Sequence, residues 1–561
     1  MSLLLKQYEI LGRKREAYVY IPDKDWDALT KPSSIMVLRP SAGEGSVREL
    51  LSSGLSELGE TKDILFVFPD PGDNGWATNK SQECDNDIAF LMALNGEITR
   101  GIVNGSRGVM NDVHYIAGIG SGAGMAISFT ALHPETTAAV ALIGGVSLPG
   151  TSNKNGAAMP AILFNCSAET ISYYKSLNKA YMAIPTNPET TIFTNSVNRC
   201  HNVISIKEEG INSLTGAVMN RIWLDLFHTV RRINTCETGN ISKRMSIEDI
   251  CFEKHLNDRS LGDNGNMAHT WLEHVPRRIK DNPSKPVPLV IFSHGAFDNP
   301  MKAADMSKWH EIGEKKGFIT VYPLAGNGVN FNLNLDESLP DDVGYYLALI
   351  RYLKDKYPID SSRVYLSGFS NGAGMSQVMA LLHPELFAAI APIDSMWPYV
   401  KPGPFEPEKF SLEKNLRPIT IGLELQRKHN YRMPVWYVYG TREMEYPVCK
   451  GLGQQYHYDA WKQYNSIPVL ETPDKPLEAE CSIGVEGDAV EVLYPCPQYP
   501  EYKYSVHKFY SADTHKDYYN FALAHGKAHD VHIVDAELAW QYISRFSRNL
   551  DGTLNDSRDS R

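Results

Sequence analysis

The sequence predicts two copies of an α/β domain, each built on a doubly wound, mostly parallel sheet. Residues 118–145 and 368–395 agree at roughly half of their positions, at an offset of 250, which indicates an internal duplication. In both halves, short apolar runs bounded by proline and glycine alternate with helical patterns such as residues 342–353. Buried parallel strands have this continuous apolar character, and their alternation with helices is typical of a doubly wound sheet.

The candidate strands recur in both halves. The offset is 254 for the first two pairs and 274 for the third: residues 35–38 with 289–292, 66–69 with 320–323, and 159–164 with 433–438. The larger third offset indicates that the second half has gained residues between these strands. We place one domain at 1–232 and another at 268–550, with a polar linker or insertion at 233–267 and a flexible tail at 551–561.

Composition describes an ordinary globular chain and excludes one function class. Of 561 residues, 43% are hydrophobic and 22% are charged, which suits a protein with a sizeable buried core. The 66 acidic residues outnumber the 55 basic residues, and the formal net charge is −11. This balance argues against nucleic-acid binding, because no basic excess is available to displace phosphate counterions.

The chain has no sequence feature of a membrane or exported protein. No apolar run approaches the roughly 18 residues that a membrane span needs. The opening MSLLLKQY has too short an apolar stretch for a signal peptide, and the 8 cysteines include no C-x-x-C pair. We expect a cytoplasmic protein with reduced thiols and no membrane partner. The sequence leaves the oligomeric state open, a homo-oligomer included.

Residues 363–372, RVYLSGFSNG, contain the candidate nucleophile, Ser370. A candidate strand leads into the motif G-x-S-x-G, and small residues that can begin a helix follow it. The flanking glycines permit a sharp strand-to-helix turn that lifts the serine hydroxyl off the sheet edge. The alternative is an idle serine in a glycine-rich turn, which the strand and helix on either side make less favourable.

An acid and then a histidine should follow the nucleophile along the chain. Glu443 comes just after the candidate strand 433–439, where the acid is expected, and Glu445 is the alternative. A glutamate on the protein surface is the competing interpretation for either position. The position of Glu443 at a strand end makes it our choice.

Three histidines compete for the base. His525, His529 and His532 all follow the candidate last strand, residues 518–524. We choose His529, because it lies in the loop before the final predicted helix, residues 536–546.

The oxyanion hole needs two backbone N–H groups near the nucleophile. One should come from the residue after the serine, Asn371. The second should come from the loop after the third strand, where residues 293–297 read SHGAF and Ala296 is the candidate.

Taken together, these segments resemble the polyhydroxybutyrate-depolymerase/feruloyl-esterase family of α/β hydrolases, duplicated in one chain. The segments that carry the resemblance are 288–295, 341–345, 363–375, 440–443 and 526–529. The resemblance implies tandem α/β-hydrolase folds and a serine ester hydrolase without a metal or another cofactor. The family usually has an aspartate where Glu443 stands.

The first half has lost most of this constellation. The offsets place Gly120 at the nucleophile position and Asn212 at the base position. Residues 40–41, Pro-Ser, replace the His-Gly pair of the oxyanion loop, and only the acid keeps a counterpart, Glu169. Without serine and histidine, acyl transfer has neither nucleophile nor base. We therefore interpret the first domain as a degenerate, non-catalytic copy, retained for packing, dimerisation or substrate shaping.

The leading functional prediction is a serine carboxylic-ester hydrolase in the C-terminal domain. It would use a Ser370–His529–Glu443 triad and an acyl-enzyme, with a small-molecule or polymer ester as substrate. The resemblance suggests aromatic, feruloyl-like esters or hydroxyalkanoate esters. Two alternatives remain: a serine peptidase or amidase on the same fold, and a non-catalytic binding or scaffold protein. The selective loss of the site from one half favours an enzyme over a scaffold.

Overall fold

The computed structural model describes most of the chain. The described residues are 2–24, 26–30, 32–78, 81–100, 111–144, 153, 156–234, 236–245, 250–261, 267–281, 285–401, 410–497 and 499–560. The chain divides into two compact units, Met1–Trp26 with Thr30–Asp249, and Asp27–Leu29 with Ile250–Arg561. Among the described residues, no helix combines the length and apolar character that crossing a membrane requires.

The first unit contains strands β1 to β12 and helices α1 to α6. The strands are β1 (Ser2–Ile10), β2 (Arg13–Ile21), β3 (Ser33–Leu38), β4 (Ile64–Pro69), β5 (His114–Ile119), β6 (Ala139–Ile143), β7 (Ala161–Phe164), β8 (Met182–Pro185), β9 (Thr190–Thr194), β10 (Val203–Ile206), β11 (Val230–Ile233) and β12 (Asn240–Lys243). The helices are α1 (Glu44–Leu50), α2 (Ser56–Lys62), α3 (Gln82–Arg100), α4 (Ser121–Leu132), α5 (Ala168–Asn178) and α6 (Gly216–Asp225).

The second unit contains strands β13 to β24 and helices α7 to α14. The strands are β13 (Glu253–Asp258), β14 (His269–His274), β15 (Val287–Ser293), β16 (Ile319–Pro323), β17 (Ile359–Phe369), β18 (Ala389–Ile393), β19 (Val435–Gly440), β20 (Ala489–Leu493), β21 (Tyr504–Phe509), β22 (Tyr519–Ala524), β23 (Phe546–Arg548) and β24 (Leu554–Asp556). The helices are α7 (Arg277–Lys280), α8 (Pro300–Ser307), α9 (Trp309–Lys316), α10 (Asp342–Lys356), α11 (Asn371–Leu382), α12 (Leu412–His429), α13 (Gly453–Tyr464) and α14 (Asp535–Ile543).

The two large sheets have one topology. The described strands form a ten-stranded sheet in each unit, in the orders β1-β2-β4-β3-β5-β6-β7-β10-β9-β8 and β13-β14-β16-β15-β17-β18-β19-β22-β21-β20. The central pairs of both sheets are parallel, as in β15 with β17 and β3 with β5. The outer pairs are antiparallel, as in β1 with β2 and β20 with β21. The predicted fold class, tandem α/β-hydrolase folds, is confirmed.

The buried strands form a separate core in each unit. The central strands of the second sheet are buried along their whole length at β15, β18, β19 and β22. Strands covered on both faces become continuous apolar runs of this kind, which is why the sequence indicated them. The predicted helix at 342–353 is α10, which the Asp341 side chain caps by accepting the Gly344 N–H at 2.9 Å.

The predicted linker contains paired strands where it is described. Asn240–Lys243 pairs with Val230–Ile233 in the first unit, and Glu253–Asp258 pairs with His269–His274 at the edge of the second sheet. Along Glu253–Asp258 only His255 is buried, so this edge strand is polar and has the composition of a linker. Residues 246–249 and 262–266 of the same segment lie outside the described residues.

The C-terminal segment that we expected to be flexible contains a paired strand. Leu554–Asp556 forms an antiparallel pair with Phe546–Arg548. Asp556 is 5% exposed and its Oδ2 accepts a hydrogen bond from Nη2 of Arg545 at 2.8 Å. The polar residues of this segment therefore make specific contacts with the end of the second unit.

Both units make the same sharp turn after the central strand. Ser370, after β17, has φ 54° and ψ −117°, and Gly120, after β5, has φ 54° and ψ −122°. The helix that follows packs very closely on a neighbouring strand. A Cβ atom on Gly372 would lie 2.3 Å from the Ser293 carbonyl oxygen, and one on Gly122 would lie 2.0 Å from that of Leu38. Only glycine fits at these two positions.

We expect Gly122→Ala to destabilise the first unit by about 2 kcal/mol or more, because the added methyl group forces backbone to move. Calorimetric unfolding of the full chain measures the change. Gly45→Ala in α1 is the matched control, since nothing lies within 4 Å of its added methyl group. The control should leave the unfolding temperature unchanged or slightly higher. Equal unfolding temperatures for the two variants would contradict the expectation.

Candidate active site

Ser370, His529 and Glu443 form a continuous hydrogen-bonded chain. The Ser370 hydroxyl oxygen lies 2.8 Å from Nε2 of His529. Nδ1 of His529 lies 3.0 and 3.2 Å from the two carboxylate oxygens of Glu443. Because a carboxylate can only accept, Nδ1 carries the hydrogen, and Nε2 is left to accept the serine proton. This arrangement combines a nucleophile, a base and an acid that orients the base.

Parallel strands bring these side chains to one edge of the second sheet. Ser370 follows β17, Glu443 follows β19, and His529 lies in the loop between β22 and α14. In the sheet, β18 separates β17 from β19, and β22 pairs with β19. Parallel strands end at the same edge, so residues far apart in the chain meet there.

The side chains of Glu443 and His529 differ in their access to water. The Glu443 side chain is 1% exposed and that of His529 is 37% exposed. Burial opposes the ionisation of Glu443, but the hydrogen bond and charge of His529, together with Lys527 and Asp394, outweigh it and lower the pKa of that carboxyl below its ordinary value. The acid is therefore held ionised next to an imidazole that a substrate can approach.

The competing histidines have other partners. Nε2 of His525 lies 2.7 Å from the hydroxyl of Ser505. Nδ1 of His532 is hydrogen-bonded to the Tyr504 hydroxyl. Of the three candidates, the structure brings His529 to Ser370.

Glu445 has a different environment from Glu443. Its carboxylate lies against Gly453, the first residue of α13, and burial raises the pKa of this carboxyl. An acidic group at a helix N-terminus stabilises the helix. The structure therefore places Glu443 at the histidine and Glu445 at a helix end.

The two predicted oxyanion donors lie on adjoining segments. Ala296 is in the turn after β15, and Asn371 is the first residue of α11. Among the described residues, no backbone carbonyl accepts the Ala296 N–H. The close contact of Gly372 with the end of β15 holds these two segments together.

Two side chains that the sequence did not assign a role hold this oxyanion region in place. His294 is fully buried, with Nδ1 2.6 Å from the Gly295 carbonyl oxygen and Nε2 accepting the Ala325 N–H at 3.0 Å. Burial lowers the pKa of His294, so it stays neutral and keeps both bonds. The Asn371 side-chain oxygen accepts the Phe331 N–H at 2.7 Å. Both contacts tie the oxyanion region to the 325–331 loop.

A buried ion pair lies behind Glu443. The side chains of Asp394 and Lys527 are both 0% exposed and are paired with each other. Neither residue was predicted from the sequence as part of the site. The sequence feature that could have identified Asp394 is its position, because a charged residue directly follows the apolar strand β18.

Two clusters in the described residues lie close enough to share a metal ion. They are Asp394, Glu443 and His529, and Glu253, His255 and Glu273. In each cluster a lysine already neutralises carboxylates, Lys527 in the first and Lys356 in the second. A bound cation would have to displace that ammonium, so neither cluster has the character of an open metal site.

The first unit does not assemble this chain of groups. Gly120 stands at its turn, and Asn212 lies in the loop between β10 and α6, which corresponds to the loop of His529. Glu169 is exposed in the first turn of α5. The retained glutamate therefore lies outside an environment like that of Glu443.

Comparison with known proteins identifies the family of the central segment. Residues 282–396, which include the turn at Ser370, match the family model described as Esterase PHB depolymerase. This segment is therefore similar to the PHB-depolymerase esterase family. The family resemblance predicted from the sequence motifs is thereby confirmed.

Curated relatives also align with part of the chain. Poly(3-hydroxyalkanoate) depolymerase C of Paucimonas lemoignei is 35% identical over 136 residues, 23% of this chain and 31% of that protein. Feruloyl esterase B of Talaromyces stipitatus is 28% identical over 142 residues, 24% of this chain and 38% of that protein. The chain thus covers less than half of the length of either relative.

A solved structure also aligns with the chain. It is the acetyl xylan esterase of Aspergillus awamori, 16% identical, with 52% of this chain and 98% of that chain covered and a TM-score of 0.35.

We expect Glu443→Gln to lower kcat for ester hydrolysis by about 10²- to 10⁴-fold, because a neutral amide neither orients nor stabilises the protonated imidazole. Steady-state kinetics with p-nitrophenyl acetate measures the loss. Glu445→Gln is the matched control, two residues away in the same loop. It should cost about 1 kcal/mol of stability at α13 and keep kcat within about tenfold. The reverse ranking would make Glu445 the acid.

Proposed function

We propose that the second unit is a serine carboxylic-ester hydrolase. The observation that carries the proposal is the hydrogen-bonded chain from Ser370 through His529 to Glu443, at a strand-to-helix turn of the second sheet. The corresponding turn of the first unit holds Gly120. One unit thus has the groups for acyl transfer, and the other has the same topology without them.

The geometry supports a two-step reaction through an acyl-enzyme. The Ser370 oxygen attacks the ester carbonyl carbon while Nε2 of His529 takes the hydroxyl proton, and Glu443 stabilises the imidazolium. The N–H groups of Ala296 and Asn371 bind the oxyanion, and each contributes about 3 kcal/mol in comparable sites. His529 then returns the proton to the leaving alcohol. Water repeats the sequence on the acyl-serine and releases the acid.

The surroundings of the site favour an apolar acyl group. Phe297 follows Ala296 and is 62% exposed, and Met444 follows Glu443 and is 80% exposed. Large apolar side chains left in water beside a polar site are typical of a ligand-binding surface. The relatives are named as a poly(3-hydroxyalkanoate) depolymerase and a feruloyl esterase. We propose a hydroxyalkanoate or aromatic acyl ester as the substrate class.

Ser370→Ala is expected to lower kcat/KM for p-nitrophenyl acetate by about 10³-fold or more, because the nucleophile is removed. A serine-directed fluorophosphonate should label Ser370 alone, as read by mass spectrometry of the digested chain. Ser121→Ala, at the corresponding turn of the first unit, is the control and should change neither activity nor labelling. Labelling of any residue of the first unit would disprove the assignment.

Phe297→Gly tests the substrate class without a penalty to folding. Phe297 has φ 62°, a left-handed conformation that costs an aromatic residue about 1–2 kcal/mol and costs glycine little. The variant should unfold at an equal or higher temperature. Its kcat/KM should fall by about tenfold for cinnamoyl or 3-hydroxybutyryl esters and by much less for acetate. An equal fall for all esters would remove Phe297 from the acyl site.

A further inference from the structure

A buried group of charges lies behind the acid of the triad. Asp394 and Lys527 form an ion pair whose two side chains have no exposed surface. Carboxylate oxygens of Asp394 and Glu443 and a ring nitrogen of His529 all lie within 4.8 Å of one another. The ion pair is therefore in direct reach of the groups that handle the serine proton.

The backbone holds both members of the pair rigidly. The Asp394 N–H donates to the Val438 carbonyl oxygen in β19 at 2.9 Å. The Lys527 carbonyl oxygen accepts the Arg442 N–H at 2.9 Å, and a Cβ atom on Gly440 would lie 2.3 Å from that oxygen. Glu443 therefore lies on a loop that is fixed on both sides, and the two charges keep a constant distance from it.

The pair is not needed by the backbone at this place. In the first unit, Gly144 follows β6 as Asp394 follows β18, and the Gly144 N–H donates to the Phe164 carbonyl oxygen at 3.0 Å. This is the counterpart of the bond from Asp394 to Val438. The unit without the triad thus makes the same turn with a residue that carries no charge.

Lys527 is a buried cation that faces the triad acid, and other titratable groups surround it. The groups around the pair are Tyr437, Tyr439, Glu443, Glu445, Tyr504, His529, Asp530, His532 and Asp535. Asp535 accepts the Tyr504 hydroxyl at 2.7 Å and the His532 N–H at 2.8 Å. Burial alone would lower the pKa of Lys527, but Asp394, Asp535 and Glu443 raise it above its ordinary value, so it stays charged. Burial raises the pKa of Asp394, and the charge and hydrogen bond of Lys527 oppose that rise.

We propose that Asp394 and Lys527 are positioning residues whose opposite charges set the pH range in which His529 can accept the Ser370 proton. The inference rests on the proposed ester hydrolase. Neither residue touches Ser370, and each acts through Glu443. In the intact site the opposite charges of Asp394 and Lys527 lie side by side next to Glu443, so each opposes the effect of the other there.

Removal of one charge should move the acidic limb of the pH profile in a direction set by its sign. Without the Lys527 cation, the Glu443–His529 pair holds its proton to higher pH, and the limb moves up. Without the Asp394 anion, the Lys527 cation faces the pair alone, and the limb moves down. At a separation of 4.8 Å and an effective dielectric constant of about 20, removal of a unit charge should shift the limb by about two pH units.

The experiment measures kcat/KM against pH for p-nitrophenyl acetate in the full chain, with released acetate quantified. The variants are Lys527→Met, Asp394→Asn and the double variant, and thermal unfolding is recorded at each pH. The acidic limb of the pH profile should move up in Lys527→Met and down in Asp394→Asn. In the double variant it should return to within about 0.3 pH units of the wild type. A structural role alone would lower stability and kcat and would leave the limb where it is.

A buried pair of the same kind serves as the control. Asp305 and Lys308 are 2% and 9% exposed and pair with each other at 2.7 Å, at α8. Asp305→Asn should leave the limb unmoved, and a shift as large as that of Asp394→Asn would overturn the proposal. If Lys527→Met does not fold, the comparison of Asp394→Asn with the charge-neutral double variant still decides, since only the former should shift.

The outcomes separate this proposal from the proposed function. A wild-type chain that hydrolyses no ester overturns both. A wild-type chain that is active and labelled at Ser370, with limbs that do not move in the single variants, overturns the charge proposal and leaves the hydrolase in place. The charge proposal is established if the acidic limb shifts in opposite directions in the two single variants and returns to the wild-type position in the double variant.

Discussion

The contact between the turn after β17 and the end of β15 is the constraint on which the rest of the second unit depends. Ser370 leaves the sheet at φ 54°, and Gly372 approaches the Ser293 carbonyl so closely that no side chain fits. This contact brings the oxyanion loop and the serine hydroxyl to one edge of the sheet. A strained dihedral persists only where the surrounding packing determines it, and buried strands on both sides provide that packing.

The first unit separates the folding role of this turn from its chemical role. Gly120 has nearly the same dihedral angles as Ser370, and Gly122 makes the same close contact as Gly372. Glycine adopts this conformation with little steric cost, so the helix packs on the sheet without a hydroxyl. The turn is thus a requirement of the topology. Chemistry depends on the groups that the other strand ends bring to it, and those differ between the units.

The sequence predicts the fold well because its signals are local. Apolar runs, glycines at the turn and the order of serine, acid and histidine can all be recognised along the chain. Glu443 and Glu445 cannot be separated in that way, because both follow β19. Only the fold decides which of them reaches His529 and which lies at the start of α13. Edge strands such as Glu253–Asp258 are missed for a related reason: His255 is the one buried residue of this strand, so its composition is as polar as that of a linker.

The buried charges behind Glu443 are the least visible part of the site in the sequence and the most expensive in the structure. Loss of one partner from a buried ion pair typically costs about 3–5 kcal/mol, whereas an apolar pair of similar volume often serves the fold equally well. Gly144 makes the corresponding turn in the first unit with the same backbone hydrogen bond. The topology therefore does not require the charge of Asp394. The ion pair thus has an energetic cost without a benefit to folding, and the Glu443 carboxylate connects it to His529. A role in the chemistry of His529 accounts for this cost most directly.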